Sequence, residues 1–83
     1  MSELQFASMV GDVASTMGRV VSYTVSGFDV RMMIRSGARK LTYEVSASLD
    51  PTTGKWSTYS PYAGTGALII LVREVGALMR SGS

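Results

Sequence analysis

The chain has 83 residues and a formal net charge of +2, from eight lysines and arginines against six acidic residues. It contains no cysteine and no histidine. Their absence excludes disulfide bonds, zinc sites built on thiolate or imidazole, and catalysis by Cys-His or Ser-His-Asp arrangements. The remaining chemistry would have to use carboxylates, lysines or tyrosines, so we expect neither an enzyme nor a bound metal or cofactor.

A chain of this length forms a single domain, which buries only about 60 to 65% of the surface that its unfolded form exposes. We predict a domain over residues 1–80 and a flexible tail over residues 81–83. The first residues include Glu3 and lack a basic stretch, so we expect no signal peptide and a cytoplasmic location. The longest apolar run, residues 67–72, is far shorter than the roughly 20 residues that cross a bilayer, and no membrane contact is predicted.

Ser2 and Gln5 match a capping box, in which each side chain bonds to the backbone N–H of the other residue. They predict a helix that begins there and ends near Gly18, a candidate left-handed cap. Its apolar stripe comprises Phe6, Met9, Val10, Val13, Ala14 and Met17. We interpret the stripe as core rather than as a partner or membrane surface, because the polar face carries no lysine or arginine before Arg19.

From Val20 the apolar residues alternate with polar ones, which predicts two strands. Ser26 and Gly27 suit a tight turn between them. Such a turn would pair Val25 with Phe28 and would bring the apolar residues of both strands onto one face of a sheet.

A second turn is predicted over residues 36–39, and it would pair Ile34 with Leu41. The same register sets Arg31 opposite Glu44 on the polar face. The third strand spans residues 41–49, and residues 50–54 combine an aspartate, a proline and a glycine, the composition of a strong turn. The fourth strand returns over residues 55–59.

The last segment predicts a helix rather than a buried strand, because its apolar stripe continues farther than a strand usually extends. The stripe comprises Leu68, Leu71, Val72, Val75, Leu78 and Met79. Ile70 and Ala77 fall on the outer face, which makes them candidates for a homodimer contact. Gly76 predicts a close approach of the helix to a neighbouring element, since glycine in an exposed helix costs about 1 kcal/mol relative to alanine.

The predicted fold is α+β, with an N-terminal helix, a four-stranded antiparallel meander and a C-terminal helix. Both helices are expected on one sheet face, and the other face is open to water. The covered face would comprise Val21, Tyr23, Val25, Phe28, Val30, Met32, Ile34, Leu41, Tyr43, Val45 and Leu49. This order of elements resembles that of the double-stranded-RNA-binding domain. That family opens its second helix with a lysine cluster, whereas residues 65–72 carry no charge here, so no residue role is transferred.

Two groups of residues are candidates for binding. Arg35, Arg39 and Lys40 gather in one hairpin turn, where a solvated turn competes with contact to phosphate or to an acidic partner. Trp56 and Tyr59 lie close together in the sequence, where completion of the core competes with stacking on a base or anchoring an interface.

The content of hydrophobic residues, 46%, is difficult to bury in one small monomer, and a symmetric dimer is the commonest remedy. We therefore predict a non-enzymatic protein-binding domain of the regulatory accessory type, which acts through self-association and a macromolecular partner. The alternative is a nucleic-acid-binding module on the open sheet face. Its phosphate contacts would come from Arg31, Arg35, Arg39 and Lys40, with stacking by Trp56 or Tyr59.

Overall fold

A computed structural model of the protein describes residues 1–38, 40–62 and 65–81. Its elements are α1 (Glu3–Ala14), β1 (Val20–Ser26), β2 (Asp29–Ser36), β3 (Leu41–Leu49), β4 (Trp56–Tyr59) and α2 (Gly66–Ser81). The four strands form one antiparallel sheet in the order β1-β2-β3-β4. The predicted α+β fold is therefore confirmed. Of the tail predicted over residues 81–83, Ser81 is the last residue of α2, and residues 82 and 83 lie outside the described residues.

The capping box predicted at the start of α1 is confirmed. The N–H of Gln5 donates to Ser2 Oγ at 3.1 Å, and the N–H of Ser2 donates to Gln5 Oε1 at 2.9 Å. Two of the N–H groups that a helix start leaves without intrahelical partners are thus satisfied, which fixes where α1 begins.

The left-handed cap predicted at Gly18 is wrong, because α1 already ends at Ala14 and Gly18 has no positive φ angle. The hydroxyls of Ser15 and Thr16 donate to backbone carbonyls three residues earlier, at 2.9 and 2.8 Å. Such short-range bonds offer the backbone an alternative to the helical ladder. Two consecutive hydroxyl residues therefore end the helix before the glycine is reached.

β1 and β2 pair in a register that is shifted by two residues from the predicted one. Val25 lies opposite Val30 rather than Phe28, so the turn consists of Gly27 and Phe28. Gly27 has a φ angle of 61°, and two-residue hairpins with glycine in the first position are of type II′. The turn therefore begins at Gly27 instead of Ser26. Because side chains alternate with a period of two, the shift leaves the apolar residues on the predicted face.

β2 and β3 are also shifted by two residues, since Ile34 lies opposite Tyr43 rather than Leu41. The cause is a turn of the predicted length that lies one residue later, between Ser36 and Leu41. Lys40 ends this turn in the left-handed region, with a φ angle of 54°. Arg39 lies outside the described residues.

The predicted pair of Arg31 and Glu44 is wrong as a consequence of this shift. Met33 lies opposite Glu44, and Arg31 lies opposite Ser46. Arg31 is thereby moved away from the carboxylate that was expected to neutralise it.

The turn between β3 and β4 has the predicted chemistry. The Asp50 carboxylate accepts from the N–H of Thr52 at 2.9 Å, and the Asp50 carbonyl accepts from the N–H of Gly54 at 2.8 Å. Gly54 takes a φ angle of 75°, which favours glycine. β4 then returns with Trp56 opposite Leu49.

The segment after β4 is held by hydroxyl groups. Ser60 Oγ donates to the Tyr62 carbonyl at 2.8 Å and lies 2.5 Å from Thr65 Oγ1. The Tyr62 ring packs edge-on against Tyr43, with ring centroids 4.9 Å apart. These contacts tie the start of α2 to the sheet.

Both helices cover one sheet face, as predicted, and the core lies between the two layers. Phe6 is fully buried, and its ring centroid lies 5.3 Å from that of Phe28 and 5.9 Å from that of Trp56. The buried core comprises Phe6, Val10, Val13, Val30, Met32, Ile34, Val45, Ala47, Leu49, Leu68, Leu71 and Val75. Removal of this apolar surface from water is the main force that stabilises the fold.

Some residues predicted in the core are exposed instead, namely Val21, Tyr23, Leu41 and Leu78. Val21 is 52% exposed because a bulge between Val20 and Ser22 gives the core-facing position to Val20. Tyr23 lies on the edge strand, Leu41 begins β3 at the end of the sheet, and Leu78 lies near the end of α2.

The close approach predicted at Gly76 is wrong, and a close approach occurs at Gly11. A Cβ atom added to Gly76 would meet only the side chain of Arg80, in the same helix, at 3.4 Å. A Cβ atom added to Gly11 would lie 3.0 Å from the hydroxyl oxygen of Tyr23. The glycine of α1, rather than that of α2, therefore permits contact with a neighbouring element.

Candidate binding surfaces

The open face of the sheet is the side that neither helix covers. Two rows of side chains cross all four strands on this face. One row comprises Thr24, Arg31, Ser46 and Tyr59, and the other comprises Ser26, Asp29, Ser48 and Ser57. Small hydroxyl residues thus surround one guanidinium, one carboxylate and one aromatic ring.

These two rows line a shallow concavity with a volume of about 570 Å³. Tyr59 is 63% exposed, and Arg31 is exposed and has no ion-pair partner within the described ranges. The Ser48 hydroxyl donates to the Asp29 carboxylate. The guanidinium and the aromatic ring are therefore the groups of this face that are most available to a partner.

β2 supplies the other large side chains of the open face. Arg31, Met33 and Arg35 alternate along the strand with residues of the buried face. The charged residues on the four strands of this face are two arginines, Arg31 and Arg35, and two acids, Asp29 and Glu44. Their formal charges cancel, so the open face carries both signs and no net charge.

The two aromatic residues of β4 lie on opposite faces of the sheet. Trp56 lies opposite the buried Leu49 and packs against Phe6 on the helix side. Tyr59 lies opposite Ser46 on the open face. An odd separation along a strand places two residues on opposite faces, so Trp56 and Tyr59 do not form one site.

The second surface is the basic end of the sheet, formed by Arg19, Arg35 and Lys40. The N–H of Arg35 donates to the carbonyl of Arg19 at 2.8 Å, which makes these two arginines neighbours, and Lys40 ends the adjoining turn. Residues 15–20 and 33–42, which form this end, include no acid. Sequence reasoning missed Arg19, because only the pairing with residue 35 brings it here. Arg39, the remaining candidate, lies outside the described residues.

The third surface is the outer face of α2, formed by Ile69, Ile70, Arg73, Glu74 and Ala77. Ile69 is 62% exposed and Ile70 is 37% exposed. Ala77, about two turns after Ile70, is also exposed. Arg73 Nε lies 3.3 Å from Glu74 Oε1. Sequence reasoning found Ile70 and Ala77 but missed Ile69. Its position off the apolar stripe was the signal that could have identified it.

The outer face of α1 differs, because it is polar apart from Leu4 in its first turn, which is 84% exposed. Its exposed positions after the first turn are Ser8 and Asp12. On their outer faces, α2 exposes two adjacent branched apolar side chains, Ile69 and Ile70, whereas α1 exposes one, Leu4.

Two kinds of feature, a group of metal ligands and a membrane-spanning helix, are absent from the described residues. All six acidic residues are exposed, and no three potential ligands among histidine, cysteine, aspartate and glutamate are grouped in the described ranges. No described helix combines the length and the apolar character that crossing a membrane requires. Comparisons with protein families, with curated proteins and with solved structures found no match.

Proposed function

We propose that this protein is a non-enzymatic binding domain of the regulatory accessory type, which holds a protein partner on the open face of its sheet. The observation that carries the proposal is that the open face presents Arg31 and Met33 on β2 and Tyr59 on the edge strand β4, among serines and threonines. Arginine, methionine and tyrosine are enriched in protein interfaces, and arginine and tyrosine are frequent hot spots. A partner that spans β2 to β4 could therefore gain its affinity from these three side chains.

The hydroxyl residues around this group favour the same function. Serine and threonine lose less side-chain entropy when they are covered than lysine or glutamate does. Their hydroxyls both donate and accept hydrogen bonds, so they can pair with polar groups of either kind on a partner. Covering these hydroxyl residues therefore costs little in conformational freedom.

The charges of the open face favour a protein over a nucleic acid. Arg31 and Arg35 are balanced by Asp29 and Glu44. A surface that follows a phosphate backbone needs an excess of positive charge, because most of the affinity comes from the release of counterions. A protein surface with charges of both signs is the more complementary partner.

Self-association through the outer face of α2 is the second part of the proposal, supported by the exposure of Ile70 and Ala77. The absence of catalysis is proposed because the chain has no histidine or cysteine and its acidic residues are all exposed. The cytoplasmic location stays a prediction from the sequence.

Site-directed photo-crosslinking tests the partner surface directly. A photoreactive amino acid replaces Ser57, an exposed serine of the open face, and in a matched control it replaces Ser8, an exposed serine on α1. Illumination in a cell lysate should join one protein to the Ser57 variant and not to the Ser8 variant. The purified partner should then bind the unmodified chain, and its binding should weaken when Tyr59 is replaced by alanine. Equal capture from both positions, or unchanged binding by Tyr59→Ala, contradicts the proposal.

Nucleic-acid binding at the basic end is the second candidate function. It is favoured by the grouping of Arg19, Arg35 and Lys40 in segments that include no acid. Arg31 and Tyr59 on the adjoining open face could add a phosphate contact and a stacking platform. A single strand would then cross from the basic end onto the middle of the sheet.

A gel-shift titration with single- and double-stranded probes tests this candidate. A shift should appear at low salt and weaken steeply as salt rises, and the combined change Arg35→Ala and Lys40→Ala should reduce the salt slope by about 2. The matched control is Lys55→Ala with Arg80→Ala, which removes the same charge elsewhere. No shift at low salt, or equal effects of the two double variants, eliminates the candidate.

A further inference from the structure

The outer face of α2 has an apolar line with opposite charges on its two sides. Ile70 and Ala77 lie about two turns apart and therefore fall on one line along the helix. Arg73 and Glu74 are consecutive, so they lie about 100° apart around the axis, one on each side of that line. Both are exposed, with 65% and 50% of their side chains accessible. One side is thus positive and the other negative at the same height.

This arrangement determines how two copies of the helix can meet. In a parallel pair related by a two-fold axis, the positive side of one helix faces the negative side of the other. Arg73 therefore faces Glu74 on both sides of the axis. In an antiparallel pair each side faces its own equivalent, so Arg73 faces Arg73 and Glu74 faces Glu74. Opposite charges on the flanks of paired helices set their orientation, and here they favour the parallel pair.

We propose that a second copy of this chain docks on the outer face of α2, with the two α2 helices parallel about a two-fold axis. Ile70 and Ala77 meet their equivalents at the axis, and Arg73 of each copy pairs with Glu74 of the other. The inference rests on the self-association within the proposed function and specifies its surface and direction.

The other surfaces of the molecule are less suited to this contact. Sheet extension through the edge strand β1 is hindered by the bulge between Val20 and Ser22, which interrupts the ladder of backbone donors and acceptors. The outer face of α1 exposes one apolar side chain, Leu4, which is followed on the same side by Ser8 and Asp12, so it offers no continuous apolar line. Dimerisation would exchange the Arg73–Glu74 pair within one copy for pairs between copies. Little stability is lost, because the exposed pair within one copy contributes almost nothing to it.

Exchange of the two charges tests which surface is used. Arg73→Glu gives like negative charges on both sides, and Glu74→Arg gives like positive charges, so each single variant should dissociate at concentrations where the wild type sediments at twice its monomer mass of 8.9 kDa. An equimolar mixture of the two variants should form a heterodimer. The chain that carries both changes should dimerise as the wild type does. Unchanged melting curves at high dilution control for folding.

Cysteine crosslinking tests the direction, and the chain suits it because it has no cysteine of its own. In the parallel pair Ala77→Cys should form a disulfide with its own copy under mild oxidation, and so should Ile70→Cys, since equivalent residues meet at the axis. In an antiparallel pair each variant alone would stay uncrosslinked, and only a mixture of the two would crosslink. Ser8→Cys is the control and should not crosslink.

The outcomes separate the inference from the proposed function. Dimers that ignore the charge changes show that copies meet elsewhere, which overturns the inference and leaves self-association intact. Crosslinking only in the mixture overturns the parallel direction. A wild type that is monomeric at every concentration overturns both the inference and the self-association, while the photo-crosslinking at Ser57 reports separately on the open face.

Discussion

The open face of the sheet and the outer face of α2 are both uncovered, but their compositions differ. On the open face, small hydroxyl residues lie between Arg31 and Tyr59, and charges of both signs are present. The outer face of α2 places Ile69 and Ile70 in water. The polar composition of the open face is what a sheet with one wet side requires. Packing within this chain covers most of Ile70 but leaves Ile69 62% exposed, so the outer face of α2 departs further from what the fold itself demands.

The difference shows how to separate residues that serve folding from residues that serve contacts. A position on the covered side contributes to the free energy of unfolding, whereas a position on either uncovered face contributes little to it. Substitutions in matched pairs can therefore assign each surface its role.

The largest difference is expected between substitutions on the buried and exposed sides of α2, measured as the free energy of unfolding. Leu71 is fully buried, so Leu71→Ala should lower the free energy of unfolding by about 2–5 kcal/mol through lost apolar contact and a residual cavity. The matched change Ile69→Ala should lower it by less than about 0.5 kcal/mol, because Ile69 is mostly exposed. Urea unfolding at high dilution measures both. Similar losses for the two variants would mean that the outer face belongs to the core.

A smaller effect is expected on the open face. Tyr59→Ala and Arg31→Ala should each weaken binding of the crosslinked partner by at least about fivefold, or about 1 kcal/mol, with little change in melting temperature. Neither change should affect self-association, which is measured by sedimentation. If Tyr59→Ala instead lowers the melting temperature and leaves binding unchanged, the residue serves the fold and not the contact.

The smallest effect compares two glycines. Gly76→Ala should stabilise the protein by up to about 1 kcal/mol, because the new methyl group meets only the flexible side chain of Arg80. Gly11→Ala gains the same helix propensity but forces the Tyr23 hydroxyl to move, so its gain should be smaller or negative. Thermal unfolding of the two variants shows which substitution gives the larger gain in stability. A larger gain at residue 11 than at residue 76 would contradict the packing described for α1.

The fold could be predicted from local chemistry, whereas the register could not. Alternation fixed which residues of β2 face the helices, and Asp50 with Gly54 fixed the third turn. Register depended on where each turn begins, and both turns begin one residue later than predicted, with Gly27 and Lys40 at positive φ angles. Each change moved the pairing by two residues, so the faces were right while the partner expected for Arg31 was wrong.

The candidate site was harder to predict from the sequence, because it depends on which residues pair across strands. Trp56 and Tyr59 are close in sequence, but strand alternation separates them onto two faces. Arg19 joins Arg35 through a backbone hydrogen bond that no local pattern indicates. Helical periodicity did place Ile70 and Ala77 on the outer face, since that signal is local.

A dilution series followed by amide chemical shifts tests most directly the claim that the two uncovered faces serve different contacts. As the concentration of the unmodified protein rises, the signals of Ile70, Arg73 and Ala77 should shift together and follow one dimerisation curve. The signals of Ser57 and Tyr59 should stay constant over the same range. Concentration-dependent shifts on β4, or constant signals along α2 while the protein dimerises, would contradict the account.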